Sequence, residues 1–282
     1  MEKLRLLSQL FTLVSSNLYL GFIKTKQVYQ GSLKSVCVPF LNCHSCPSAF
    51  FSCPIGSIQH FLTLRQFPFT VMGFLTALGM TAGAMPCGWL CPVGLTQDLL
   101  YRIRSFKISI ARQLSSFRYV VLLLLVVLLP LVTQETWFSK LCPAGTMQAA
   151  LPWVIWNPEI PTYREPVVTP GSIGWFFALK LFILAFFIGL AVIAKRPFCR
   201  LACPLGAILG FFNRYSLLRL KVDASQCKGC TDCRSKCPVE LDVQLDANAS
   251  TCVRCLNCLD CEHVCIEGAR WARFGSGKPE EA

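Results

Sequence analysis

The chain has 282 residues, 54% of them hydrophobic and only 15% charged, and its mean hydropathy of +0.51 lies outside the range of ordinary soluble domains. A net charge of +12 would suit nucleic acid, but the basic residues collect beside apolar stretches, as topology demands of a membrane protein, so nucleic acid is excluded as a partner. The 18 cysteines exceed what a membrane chain needs as disulfide staples and read as ligands.

Four stretches approach the length of a spanning helix: Gln9 to Ile23, Pro68 to Met85, Phe117 to Val132 and Trp175 to Ala194. The expected fold is an α-helical membrane protein with four transmembrane helices. The first stretch follows Lys3 and Arg5 but lacks a small-x-small cleavage site, so it reads as an anchor. Gly79 and Gly83 give the second GxxxG spacing and close packing, and Pro130 predicts a kink in the third. Lys180 in the fourth is expected to snorkel to the outer interface. Arg102, Arg104 and Lys107 after the second span, and Lys195, Arg196 and Arg200 after the fourth, place both termini on the cytoplasmic side of an inner membrane. Lys24, Lys26, Lys34 and Arg65 in the first outer loop run against that count. Composition turns polar near Tyr215, which divides the chain into a membrane domain, 1–214, and a small cysteine-rich domain, 215–282.

In the small domain Cys227, Cys230, Cys233, Cys237 and Pro238 form C-x2-C-x2-C-x3-C-P, the bacterial ferredoxin run, in which three cysteines hold one [4Fe-4S] cluster and the fourth reaches the other. Cys255, Cys258, Cys261 and Cys265 repeat the spacing, with Ile266 in place of proline. The expected sets are Cys227, Cys230, Cys233 and Cys265 for one cluster and Cys255, Cys258, Cys261 and Cys237 for the other. Cys252 offers a competing triplet with Cys255 and Cys258, but only the Cys255 register keeps the x3 gap. Zinc does not show this interlocked repeat.

The membrane part carries CPxG four times, at Cys53, Cys91, Cys142 and Cys203, with a glutamine six positions on in the first three, at Gln59, Gln97 and Gln148. Proline after each cysteine suits the first helical position, so each thiol is expected at a helix N-terminus, where the dipole favours an anion. Cys87 with Cys91 and Cys199 with Cys203 add C-x3-C-P. The chain then reads as two parallel pseudo-repeats, each with an outer CPxG, one span and an inner C-x3-C-P. Cys87, Cys91, Cys199 and Cys203 are expected to share an iron–sulfur cluster inside. Outside, Cys53 and Cys142 are expected to join two of Cys37, Cys43 and Cys46, the last two at x2 spacing, in a cluster or in disulfides. No histidine lies within a span, which excludes a bis-histidine haem. His44 and His263 read as surface residues; His60 is the candidate proton acceptor for a quinol.

With CGWLCPVGLTQDLL at Cys87 to Leu100, FCRLACPLGAILG at Phe198 to Gly210 and the paired ferredoxin runs, the chain resembles the NapH-type membrane ferredoxins. That group includes the quinol-dehydrogenase subunit of periplasmic nitrate reductase systems and the membrane cores of nitrous-oxide reductase maturation and methylamine utilisation proteins. The resemblance covers about Cys37 to Cys265. It implies four spans, two cytoplasmic [4Fe-4S] clusters, and electron transfer between a quinone pool or ferredoxin and a partner cytochrome or iron–sulfur protein. The alternative is a maturation or metal-reduction factor for a metalloenzyme, which iron content would distinguish.

Overall fold

A computed structural model describes residues 2–156, 174–222, 232–260 and 264–266. Its helices begin where the Cys-Pro steps require. Cys53, Cys91, Cys142 and Cys203 are each extended, with ψ of 131°, 115°, 121° and 110°, and each is followed by proline at the first helical position, where the missing N–H costs nothing and the fixed φ starts the helix. In chain order the principal helices among the described residues are α1 Glu2–Ser16, α2 Pro54–Thr63, α3 Phe69–Ala82, α4 Pro92–Tyr101, α5 Arg112–Thr133, α6 over 143–156, α7 Trp175–Ile193 and α8 Pro204–Phe211.

Two helices, α5 and α7, are long and apolar enough to cross a membrane, and only 22% and 11% of their most apolar windows are buried. A core helix of a soluble protein would bury far more. The apolar α3 has 14 residues. The first expected span is interrupted, because α1 ends at Ser16 and a separate turn of helix follows at Phe22–Thr25. The polarity of α1 is inverted: Arg5, Gln9, Thr12 and Ser16 are buried against the protein while Leu4, Leu7, Phe11 and Val14 face out. Arg5 reaches Asp98 at 3.1 Å, and Gln9 donates to the Gly88 carbonyl at 2.9 Å.

Ahead of Pro130, α5 is π-wound over Leu122–Leu128. In that register the carbonyl five residues before Pro130, on Leu125, has no backbone donor. The Gln59 Nε2 of α2 donates to it at 2.9 Å.

The two halves repeat one order: Cys-Pro helix, long apolar helix, C-x3-C-P turn, short helix. Each half is a hairpin rather than a single crossing. The helix α2 leads away from Cys53 and α3 packs back along it, while α6 packs on α7. The halves also interlock, since α4 packs against α7 and α8 against α3. Both kinds of cysteine motif are thereby drawn into the body of the protein.

Beyond α8, strand β1 Leu220–Val222 pairs antiparallel with β2 Val264–Ile266, with Lys221 opposite Cys265. The loop between is fastened to the helices. Asn213 Nδ2 donates to the carbonyls of Ala249 (3.0 Å) and Cys252 (2.8 Å), and Arg254 donates to the Asn213 carbonyl at 2.6 Å. Part of the basic charge expected to mark a membrane face is used here. Lys195 caps the Ser235 carbonyl at 2.8 Å, Arg200 pairs with Glu240 at 3.1 Å, and Arg112 pairs with Asp246 at 3.3 Å.

Candidate metal centres

Three thiol-lined cavities occur among the described residues. The central one is lined by Cys87, Cys91, Cys199 and Cys203 together with Arg118, Leu41 and Cys252. Each half contributes two thiols through its C-x3-C-P turn, and the glutamine of the first half clamps the second. Gln97 Oε1 accepts the Phe198 N–H at 3.0 Å, and its Nε2 donates to Cys199 Sγ at 3.2 Å. The Gly206 N–H, one turn into α8, donates to Cys203 Sγ at 3.3 Å. Arg196, at φ 45° and 1% exposed, grips Asp98 with two bonds of 2.7 and 2.6 Å and donates to the Cys87 carbonyl.

Burial pushes Cys87 and Cys203 upward and Cys199 to about 11, and mutual repulsion adds to this. Arg196 opposes the rise at Cys87 and Cys199. Such thiols bind a metal by losing protons to it. Arg118 is 3% exposed, and its Nε has no partner among the described residues. A buried, under-satisfied cation beside four thiols fits an anionic centre and is costly without one.

The second cavity, in the ferredoxin region, is lined by Cys237, Cys252, Cys255 and Cys258. Cys252, which spacing had set aside, is buried there and raised to about 12, first by burial and then by repulsion from Cys255 and Cys237. Cys233 is buried close enough to Cys258 to repel its charge. Cys227, Cys230, Cys261 and His263 lie outside the described residues; Cys265 is in β2.

The third, distal cavity has a volume of about 280 Å³ and is lined by Cys43, Cys53 and Cys142 with His44, Asn42, Lys140 and Lys180. Lys180 is half-buried and lines this cavity. Gln148 Oε1 accepts the Cys43 N–H at 2.8 Å, while Gln59 Oε1 accepts from Ser139 N–H at 3.1 Å and from its hydroxyl at 2.7 Å. All three repeat glutamines therefore tie one cysteine segment to another. Burial, then the charges of Lys34 and His60, holds His44 below the ordinary imidazole range. Cys46 is buried behind the distal cavity, within charge range of Cys43 but with its Sγ 3.2 Å from Ser48 Oγ, and Cys37 lies in a bridge to Ser52 within charge range of Cys53; neither lines the distal cavity. His60 is exposed on α2 and lines none of the three cavities.

These cavities adjoin. Leu41 lines both the distal and the central one, while Cys252 and Val253 line both the central one and that of the ferredoxin region. Cys53 and Cys91 are close enough for the charge of one to affect the other. The expected membrane-thick gap between the CPxG motifs and the C-x3-C-P motifs is absent, because each half doubles back as a hairpin. Close docking at the other side depends on Gly88, where a Cβ would collide with the Val253 carbonyl oxygen and lie 3.2 Å from the Cys255 backbone. Trp89 Nε1 fastens the same loop at the Arg254 carbonyl, at 3.2 Å.

Donor chemistry distinguishes the group these thiols suit. Among the described residues no three His, Cys, Asp or Glu side chains close in far enough to hold a single metal ion, and none of the cysteines is in a disulfide. Tetrahedral zinc with bonds near 2.3 Å would draw its sulfurs to roughly 3.8 Å of one another. A cubane binds each thiolate at a different corner and suits four thiols around a shared space. Asp98, Arg118 and His44 brace or line these cavities without a signal in the cysteine motifs; Arg196 reads from the sequence only as topological charge, and Cys252 only as a competing ligand.

This donor set on this helical frame defines an iron–sulfur protein of the ferredoxin type. The 4Fe-4S binding domain family matches residues 64–111 and 175–224, the two segments that contain the C-x3-C-P motifs. The chain is similar to the NapH-type ferredoxins. It is 28% identical over 195 residues to the ferredoxin-type protein NapH of Haemophilus influenzae, covering 64% of this chain and 59% of that one. The methylamine utilisation ferredoxin-type protein MauN of Methylobacillus flagellatus is 29% identical over 213 residues, 74% of this chain and 67% of its own. An uncharacterised protein of Methanocaldococcus jannaschii is 28% identical over 234 residues, 79% and 78% of the two chains. No solved structure matches.

Proposed function

We propose that this chain is a membrane-embedded electron conduit. The central cavity holds a [4Fe-4S] cluster on Cys87, Cys91, Cys199 and Cys203. In the ferredoxin region one cluster takes Cys237, Cys252, Cys255 and Cys258, the thiols of one cavity, and the other takes Cys227, Cys230, Cys233 and Cys265. When bound, such clusters supply one-electron transfer at potentials tuned by hydrogen bonds, charge and exposure.

The observation that carries this reading is the shared walls. Neighbouring cavities share wall residues, Leu41 on one side and Cys252 with Val253 on the other, so no long gap interrupts the series. The chain's own residues bury the sulfurs, donate to them from Gln97 and the Gly206 N–H, and set positive charge beside them with Arg118 and Arg196. The lipid-length helices α5 and α7, with their exposed apolar surfaces, support a bilayer setting. Basic residues near the ferredoxin region support a cytoplasmic location for it in an inner membrane. Electrons are exchanged with a quinone pool or a cytoplasmic donor at one end and with a partner cytochrome or iron–sulfur protein at the other.

The test uses full-length protein in liposomes with ferricyanide trapped inside and dithionite added outside. Bleaching of ferricyanide faster than in protein-free vesicles is expected, and Cys91→Ser should return it to that background. Equal rates for wild type and Cys91→Ser would remove the central centre from the path.

A further inference from the structure

The distal cavity belongs neither to the ferredoxin runs nor to the C-x3-C-P motifs, yet it is built like a site. Cys53 and Cys142 are N-cap residues of α2 and α6 without a side-chain cap bond, so both thiols lie beside helix N-termini whose backbone N–H groups are free to favour an anion. The third thiol, Cys43, is held by the bond from its own N–H to Gln148.

The glycines of the two CPxG motifs show how close these groups come. A Cβ at Gly145 would touch Cys43 Sγ at 3.6 Å and Cys142 Cβ at 3.8 Å, whereas one at Gly56 would meet His44 Nδ1 at 3.0 Å and Cys53 Cβ at 3.8 Å. Each glycine thus leaves room for one group from the 43–44 segment, Cys43 Sγ at Gly145 and His44 Nδ1 at Gly56, beside the Cβ of its own motif's cysteine. Asn42 is 1% exposed and lines the same space, with neither its side-chain oxygen nor its nitrogen partnered among the described residues. A buried amide without partners calls for an occupant. The lysines at the rim, Lys140 and Lys180, favour an anionic one.

Four soft or borderline donors therefore surround the space, and the fourth is an imidazole. Cys46, the thiol at x2 spacing from Cys43, is turned toward Ser48. We propose that the distal cavity holds an iron–sulfur cluster through Cys43, Cys53, Cys142 and the Nδ1 of His44, with Cys46 outside the ligand set. The inference extends the electron-conduit reading, whose central and ferredoxin centres do not depend on it.

Full-length protein purified anaerobically in detergent provides the test, with iron and acid-labile sulfide counted and reduced samples examined by electron paramagnetic resonance. His44→Ala and Cys142→Ser should each remove about four irons, one cluster equivalent, and leave the ferredoxin signals intact. Cys46→Ser should remove none. His44→Cys should retain the iron with an altered resonance and a lower midpoint potential, because an anionic thiolate replaces a neutral imidazole; that variant also answers the objection that His44→Ala merely misfolds. Iron lost in Cys46→Ser but kept in His44→Ala would overturn the assignment of His44. No loss in any of these variants, with Cys87→Ser still losing a cluster, would remove the distal centre and leave the central one standing. Full iron in Cys87→Ser would instead count against the proposed function.

Discussion

The central and distal cavities start from the same CPxG unit and reach different solutions. At the central site each half supplies two thiols from one C-x3-C-P turn, and a fixed charge network surrounds them, with Arg196 on Asp98 and Arg118 against the cavity wall. At the distal site each half supplies one thiol, and the remaining donors come from the 43–44 segment. The contrast teaches that a repeat unit can fix a helix N-terminus and one sulfur, while the completeness of a site depends on what the rest of the chain brings to it.

The largest effect separates the sites outright. Cys199→Ser should remove about four irons from the full-length protein, one cluster equivalent, with the distal and ferredoxin resonances retained. A serine variant that lost iron from both cavities together would merge them into one cooperative unit.

Stability should divide along the same line. Arg196→Ala leaves Asp98 without its buried bidentate partner and should cost about 3–5 kcal/mol, seen as a large drop in thermal midpoint. Arg102→Ala, at the exposed pair with Glu2, should cost at most about 1 kcal/mol. Similar losses in the two would show that the charge network is not a special property of the central site.

A smaller effect is expected at the joint between the regions. Gln59→Ala uncovers the Leu125 carbonyl in the π-wound stretch and frees the Ser139 N–H. It should destabilise by about 1–3 kcal/mol and disturb the distal site, because Ser139 lies three residues before Cys142. An unchanged thermal midpoint would mean that water replaces both bonds.

The smallest change in atoms concerns the contact with the ferredoxin loop. Gly88→Ala places a methyl against the Val253 carbonyl and should weaken magnetic coupling between the central and ferredoxin centres while iron content stays constant. Gly189→Ala has open space around its new Cβ and should be neutral or slightly stabilising, as expected in a helix. Equal coupling in both variants would argue against tight docking.

Much of the frame was legible without coordinates. The Cys-Pro steps mark the starts of α2, α4, α6 and α8 because proline at the first helical position fixes φ and needs no N–H partner, a local rule that survives any tertiary context. The apolar runs at 117–132 and 175–194 became α5 and α7 because a long apolar stretch has few alternatives. The run from Gln9 failed as a continuous helix. Hydropathy averages over faces, and the buried polar stripe Arg5, Gln9, Thr12 and Ser16 shows that α1 is organised by its contacts with Asp98 and Gly88.

What the sequence determined by itself was covalent and local: which residues are thiols, their ferredoxin and CPxG spacings, where helices begin, and the iron–sulfur class. Tertiary structure alone decided which thiols share a space. The placing of Cys252 beside Cys237, Cys255 and Cys258, of His44 on the wall of the distal cavity, and the small separation of the CPxG and C-x3-C-P motifs depend on α2 and α3 doubling back and on the two halves interlocking. Spacing describes only how far the chain can reach, and a site is made by packing that brings residues distant in sequence against one another.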